Sequence, residues 1–192
     1  MPIHPSADVH PSADVWHLAQ LREKVKVGEF VIIGRGAYIG AGVQIGERSK
    51  IQNYALIYEP ADVGPGVFIG PGVVFTNDKK PRAILPSGAK KTNTDWLPVG
   101  VIVKEGASIG SNSVCVAPVT IGRWSMVAAG SVVTRDVQDF ALYAGNPARQ
   151  IGWVGKSGER LILDDKAENI FVSPMDQSRY ELVNQGLVEK VR

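Results

Sequence analysis

From Ile3 onward every sixth residue is apolar: Ile3, Val9, Val15, Leu21, Val27, Ile33, Ile39, Ile45, Ile51, Ile57, Val63, Ile69 and Phe75. In a chain of 44% hydrophobic content, so long a run arises by chance on the order of 10⁻⁴ of the time over six frames. Four residues beyond each large side chain stands a small one, as at Ala19, Val31, Ala37, Ser49, Ala55 and Val67. Glycine often follows the large residue, as at Gly34, Gly40, Gly46, Gly64 and Gly70. Neither a helix nor a simple alternating strand has this period. The pattern predicts a flat-sided coil in which the large residue fills the interior. The small residue fits where walls converge, and glycine takes corner dihedrals that a Cβ resists. Three short faces close a triangular turn of 18 residues, and turns stack about 4.8 Å apart.

The rhythm stops at "GVVFTNDKKPRA" (72–83) and returns shifted at Leu97, Val103, Ile109, Cys115, Ile121, Val127 and Val133. Phe75 to Leu97 is 22 residues (97 − 75), not a multiple of six. Residues 76–96 are therefore expected to leave the prism and rejoin it. The expected layout is an all-β prism domain over 1–140 and a small extension over 141–192. Cys115, on a large-residue position, reads as core packing.

Bulk properties narrow the partners. The 192 residues suit one domain. A formal net charge of +2 with scattered basic residues argues against nucleic acid. A single cysteine excludes a disulfide framework and a cysteine metal site. No run approaches the ~20 apolar residues of a membrane helix, and "MPIHPSADVH" is not a signal peptide. A soluble cytoplasmic protein is the expectation.

The hexapeptide pattern over residues 3–137 resembles the left-handed parallel β-helix of the hexapeptide acyltransferases. That resemblance supplies the hand of the coil, and it implies a homotrimer with sites between neighbouring prisms. "VAAGSVVTRDVQDFALYAGNPARQIGWV" (127–154) resembles the end of hexapeptide acetyltransferases. There the last coils and a "GNPA" turn hold coenzyme A. This implies acetyl-CoA as co-substrate, with no metal, and Ala129, Gly130, Arg135, Asn146, Pro147, Ala148 and Arg149 as its contacts. "IQNYALIYEPADVGPGVFIGPGVVFTNDKKPRA" (51–83), "GWVGKSGERL" (152–161) and "VWHL" (15–18) resemble enzymes that N-acetylate nucleotide-linked 3-amino sugars. "TNDKKPR" departs from the branch acting on 3-amino uronates. Asp78 looks more like the branch acting on 3-amino-3,6-dideoxyhexoses.

The histidines speak to the acceptor. His4, His10 and His17 all precede the interruption. A hydroxyl acceptor needs a base there, whereas an amine arriving neutral does not. In the resembled enzymes the Asn of "FTN" faces the reacting amine, which makes Asn77 the match. Its amide oxygen can accept an amine N–H and aim the nitrogen lone pair at the thioester. Positions one full turn apart share a prism edge, so Glu23, Ala41, Glu59 and Asn77 form one column. His17, Arg35, Asn53 and Pro71 form another. Glu59 is thus a candidate to place the amine or relay its proton. His17, Arg35 and Asn53 are candidates for a pyrophosphate, and Tyr58, Asp78 and Arg82 for the sugar nucleotide. The rival expectations are an acetyltransferase for a 4-amino nucleotide sugar or another small acceptor, and a non-catalytic structural β-helix. Residues 151–192 alternate enough for short strands and are expected to pack across a trimer.

Overall fold

The computed structural model describes residues 3–190. Among them there is no helix, and the chain winds as a triangular parallel β-helix. Sheet one is built from Asp8–Val9, Lys26–Val27, Gln44–Ile45, Asp62–Val63, Val101–Val103 and Val119–Ile121. Sheet two stacks Asp14–Val15, Ile32–Ile33, Lys50–Ile51, Phe68–Ile69, Ser108–Ile109 and Met126–Val127. It then adds Ala141–Gly145 in parallel and Ala148–Trp153 antiparallel. Sheet three comprises Gln20–Leu21, Tyr38–Ile39, Leu56–Ile57, Val74–Phe75, Val114–Cys115 and Val132–Val133.

Each strand pairs with the strand one turn on, as Asp8 does with Lys26 and Lys26 with Gln44. The one long step in sheet one joins Asp62 to Ile102, because the excursion is inserted within that turn. The second residue of each pair faces inward. Ile33, Ile39, Ile51, Ile57, Ile69, Phe75 and Ile109 are fully buried, each side chain worth about 1.5–3 kcal/mol relative to exposure. The small register fills the corners as expected. Ser49, Ser113, Ser125 and Ser131 are buried there, and each hydroxyl donates to a main-chain carbonyl: Gly64, Ala128, Gly122 and Ala128 respectively. A buried hydroxyl left unpaired would cost about 1–3 kcal/mol. Cys115 is core, and burial pushes its thiol up to about 12.

One corner shows why glycine recurs. A Cβ at Gly36 would sit 2.5 Å from the Tyr54 ring one turn above, and Gly36 has φ of 67°. Only a residue without a side chain meets both demands.

One expectation is corrected. Leu97 does not resume the interior: it is 86% exposed. The wall restarts at Val101, which is fully buried. The six-residue frame extends back to Leu97 in sequence, but the chain has not yet rejoined the wall there. The tail forms a second, smaller sheet. Its antiparallel sheet (Ile162–Leu163, Ile170–Val172, Arg179–Val183, Gly186–Lys190) lies on its own prism. Leu161, Tyr180 and Leu187 bury against Phe140, and Tyr180 Oη accepts the Lys156 N–H at 3.0 Å. Those side chains find apolar partners within one chain.

Candidate active site at two prism edges

The turn from sheet three back to sheet one is the edge that opens. Its successive turns are Arg22–Val25, Gly40–Val43, Tyr58–Ala61 and then the excursion from Thr76 to Gly100. Three contacts close the neck of that excursion. Thr76 Oγ1 accepts the Ala117 N–H at 3.0 Å from the turn above. The Asn77 carbonyl accepts the Val99 N–H at 3.0 Å. Asn77 Nδ2 donates to the Glu59 carbonyl at 2.9 Å in the turn below. The return passes so close to the wall that a Cβ at Gly100 would collide with the Pro60 carbonyl.

The third contact decides which way the Asn77 amide points. A carbonyl only accepts, so the group facing it is the NH₂. Oδ1 is therefore turned away, and among the described residues no side-chain or main-chain donor reaches it. The amide oxygen of this half-buried residue, held by its own nitrogen and without a protein partner among the described residues, can accept one N–H from a bound molecule.

Glu59 stacks below Asn77 as the column requires. No hydrogen bond joins its carboxylate to Asn77. The carboxylate lies over the Gly40 backbone, and its Oε2 is buried without a partner. Tyr38 is its neighbour: burial first, and then the charge of Glu59, push the Tyr38 phenol above its ordinary value. Tyr38 packs on Tyr58 with ring centroids 5.1 Å apart and accepts a 3.4 Å contact from Arg22, which also pairs with Glu23 at 3.1 Å. Tyr38 and Arg22 were not candidates in the sequence. Tyr38 stands on the outward strand position of sheet three, not on the corner column, and nothing in its spacing marks it.

Beyond the neck, residues 78–97 enclose a cavity of about 320 Å³ lined in part by Lys79, Lys80, Arg82, Ile84, Lys91 and Trp96. Asp78 spends both oxygens inside the loop, on the Lys80 N–H at 2.8 Å and on Lys91 Nζ at 2.9 Å. Those bonds, the Lys91 one foremost, hold its carboxyl below the usual range. Lys79, Lys80 and Arg82 are exposed on the same loop.

The remaining sequence candidates sit on a different edge, between sheets two and three. His17, Arg35 and Asn53 do come together: they line a cavity of about 330 Å³ with Trp16, Ile32, Gly34 and Gln52. Asn53 Oδ1 is already committed to the Arg35 N–H at 2.9 Å. Higher on the same edge are Ala129 and Gly130, next to the hairpin tip Asn146–Pro147. The tip is tied in by the Gly145 N–H to Ser131 Oγ (3.2 Å), and Ser131 donates onward to the Ala128 carbonyl (2.7 Å). Ala148 is buried and Arg149 exposed beside them. Arg135 is apart from this group, exposed after the last strand of sheet three. Arg123 pairs with Asp139 at 2.8 Å on the third edge.

Asn77 and its loop thus lie on one border of sheet three, and the Ala129–Gly130 and Asn146–Arg149 coenzyme candidates lie on the other, together with His17, Arg35 and Asn53. The outward residues of that sheet from the second turn on are Tyr38, Leu56, Val74, Val114 and Val132, all half-buried. Sheet one presents Asp8, Lys26, Gln44, Asp62, Ile102 and Thr120 at the equivalent positions.

A stacked hexapeptide prism with small-residue corners is a recognisable class. The family model described as bacterial transferase hexapeptide (six repeats) matches residues 24–58 and 42–77. The hexapeptide repeat of succinyl-transferase matches 100–135. Over residues 24–77 and 100–135 the chain matches hexapeptide repeats, its fold is an all-β left-handed parallel β-helix, and over part of its length it resembles the amino-sugar N-acetyltransferases. The dTDP-3-amino-3,6-dideoxy-α-D-galactopyranose 3-N-acetyltransferase of Aneurinibacillus thermoaerophilus is 57% identical over 67 residues, which is 34% of this chain and 35% of that protein. The match therefore spans about a third of that relative's length. A hexapeptide-repeat acetyltransferase of Vibrio cholerae, solved with acetyl coenzyme A, is 26% identical with a TM-score of 0.57 over 66% of this chain and 69% of that one. An N-acyltransferase of Bacillus cereus, solved with dTDP-4-amino-4,6-dideoxyglucose and coenzyme A, shares the fold at 22% identity and a TM-score of 0.58, covering 78% of this chain and 81% of that one.

Proposed function

We propose that this protein transfers acetyl from acetyl-CoA to the C3 amine of a nucleotide-linked 3-amino sugar, with a dTDP-3-amino-3,6-dideoxyhexose as the first candidate. The observation that carries the reading is Asn77: its nitrogen is spent on the Glu59 carbonyl and its oxygen is turned free at the mouth of the loop. The 57% identity to a 3-amino-sugar acetyltransferase supports the acceptor class.

In this reading Asn77 Oδ1 accepts one N–H of the neutral amine and points the lone pair at the thioester carbon. The new N–C bond forms as the carbonyl becomes tetrahedral, and the C–S bond then breaks. The departing thiolate takes the surplus proton from nitrogen, so the products are the acetamido sugar and free coenzyme A. Histidine is not needed. His4 and His10 are engaged in their own turns, each Nδ1 within 2.9 Å of Ser6 or Ser12. Glu59 acts in placing the tyrosine pair and the acceptor. Arg82, Tyr58 and Asp78 border the sugar nucleotide, and His17, Arg35 and Asn53 meet its diphosphate. Ala129, Gly130, Asn146, Pro147, Ala148 and Arg149 run along the coenzyme, with Arg135 toward a phosphate.

One chain keeps these groups on two edges, so the reading includes a homotrimer. The apolar outer face of sheet three is the surface we assign to it, because pairing it with another copy sets the coenzyme edge against the edge that carries Asn77. Both substrates are water-soluble phosphate esters, so the reading puts the reaction in the cytoplasm. The test is incubation with acetyl-CoA and dTDP-3-amino-3,6-dideoxygalactose, followed by mass spectrometry. One added acetyl group with equimolar free thiol supports the reading. No acetylation of this sugar, of its UDP-linked counterparts or of other 3-amino sugars refutes it.

A further inference from the structure

We infer that Lys91 is a positioning residue for the acceptor site, acting through Asp78 on Asn77. Lys91 belongs to the returning half of a loop without periodicity, far along the chain from Asn77, yet its side chain is only 12% exposed. Three groups converge on its ammonium. Asp78 Oδ2 lies at 2.9 Å, the Lys80 carbonyl at 3.4 Å, and the Trp96 ring centroid at 5.6 Å. A lysine so enclosed loses the mobility that makes a surface ion pair weak, and its hydrogen bonds to Asp78 and the Lys80 carbonyl knot the outgoing and returning halves of the excursion together. The other oxygen of Asp78 turns the chain back through the Lys80 N–H.

The consequence falls on the residue next door. Asn77 is tied to the prism by its side chain and to Val99 by its carbonyl. Asp78 is the first residue free of the wall, and Lys91 sets its direction. Removing the ammonium leaves a carboxylate of 24% side-chain exposure with its charge partner gone. The cheapest remedy is for Asp78 to swing toward water and take the neck with it. The prism is unaffected, because the groups that hold Lys91 all belong to the excursion. Lys79, Lys80 and Arg82 in the same loop are exposed and make no ion pair among the described residues. Lys91 differs from them in being enclosed.

The inference rests on the acetyltransfer reading only for its kinetic part, so two readouts are used on the full chain. The first is hydrogen exchange of the free protein. Lys91→Met should raise exchange of amides 78–96 while Lys91→Arg, which keeps the charge, restores protection, and the melting temperature stays that of the wild type. The second is steady-state acetylation of dTDP-3-amino-3,6-dideoxygalactose. Lys91→Met should lower kcat/KM for that sugar between about tenfold and about a hundredfold, the cost of a small misplacement, with KM for acetyl-CoA unchanged. Lys91→Arg should recover most of the loss. Unchanged exchange with Lys91→Met overturns the inference, as does an equal loss for both co-substrates. If the wild type acetylates no 3-amino sugar, the acetyltransfer reading falls, and exchange alone then upholds or overturns the anchoring by Lys91.

Discussion

Phe75 and Leu97 stand at the two ends of one excursion, and they part completely. Phe75 is fully buried in the prism wall, whereas Leu97 is 86% exposed on the loop. The wall is governed by position: from Leu21 on, the residue at the inward slot of each stacked turn is buried whatever follows it. The loop is governed by pairs, chiefly Lys91 with Asp78 and Trp96 and Asn77 with Glu59. The wall repeats because stacking demands it, and the candidate chemistry collects where the repetition stops.

The sharpest way to break that contrast uses neighbouring residues with opposite faces. Leu56 points out of sheet three and Ile57 points in. Leu56→Glu should leave the prism folded by circular dichroism yet abolish both assembly, read by light scattering, and turnover. Ile57→Ala should cost about 2–5 kcal/mol of stability, read as a fall in melting temperature, while the fraction still folded keeps its turnover. If Leu56→Glu remains assembled, sheet three is not the contact between copies.

A smaller effect separates the loop from the wall by pH. Asp78 has a depressed folded-state pKa, so its contribution to loop order is present above the ordinary carboxylate value and is lost as pH falls through the lowered one. The groups facing it are Lys91 and the Lys80 amide, with Lys79, Arg82 and Asp95 around the same cavity. Amide exchange of residues 78–96, corrected for intrinsic rates, should stay flat near neutrality and rise only below about pH 4, with amides of the wall protected throughout. The smallest effect is expected at Leu97→Ala, below about 0.5 kcal/mol by thermal melting, because nothing of the interior rests on it.

The prism was legible because its core repeats. The apolar series from Ile3 to Phe75 keeps one spacing, and a period is read without knowing any contact. The same frame misplaced Leu97, since counting by six cannot tell when a chain has rejoined a wall. Column arithmetic put Asn77 above Glu59, and the hydrogen bond between them has that spacing. It could not show that the Glu59 carboxylate turns down over Gly40 toward Tyr38. Lys91 was invisible for a plainer reason: a contact that crosses an irregular loop has no pattern to betray it.

The central claim is that one carboxamide oxygen orients the acceptor nitrogen, and Asn77→Ala tests it most directly. Turnover of the 3-amino sugar, melting temperature and KM for acetyl-CoA should be measured on the same preparation. The account predicts a fall in kcat of about a hundredfold or more with the melting temperature and the acetyl-CoA KM close to wild type. Wild-type turnover in that variant would contradict it.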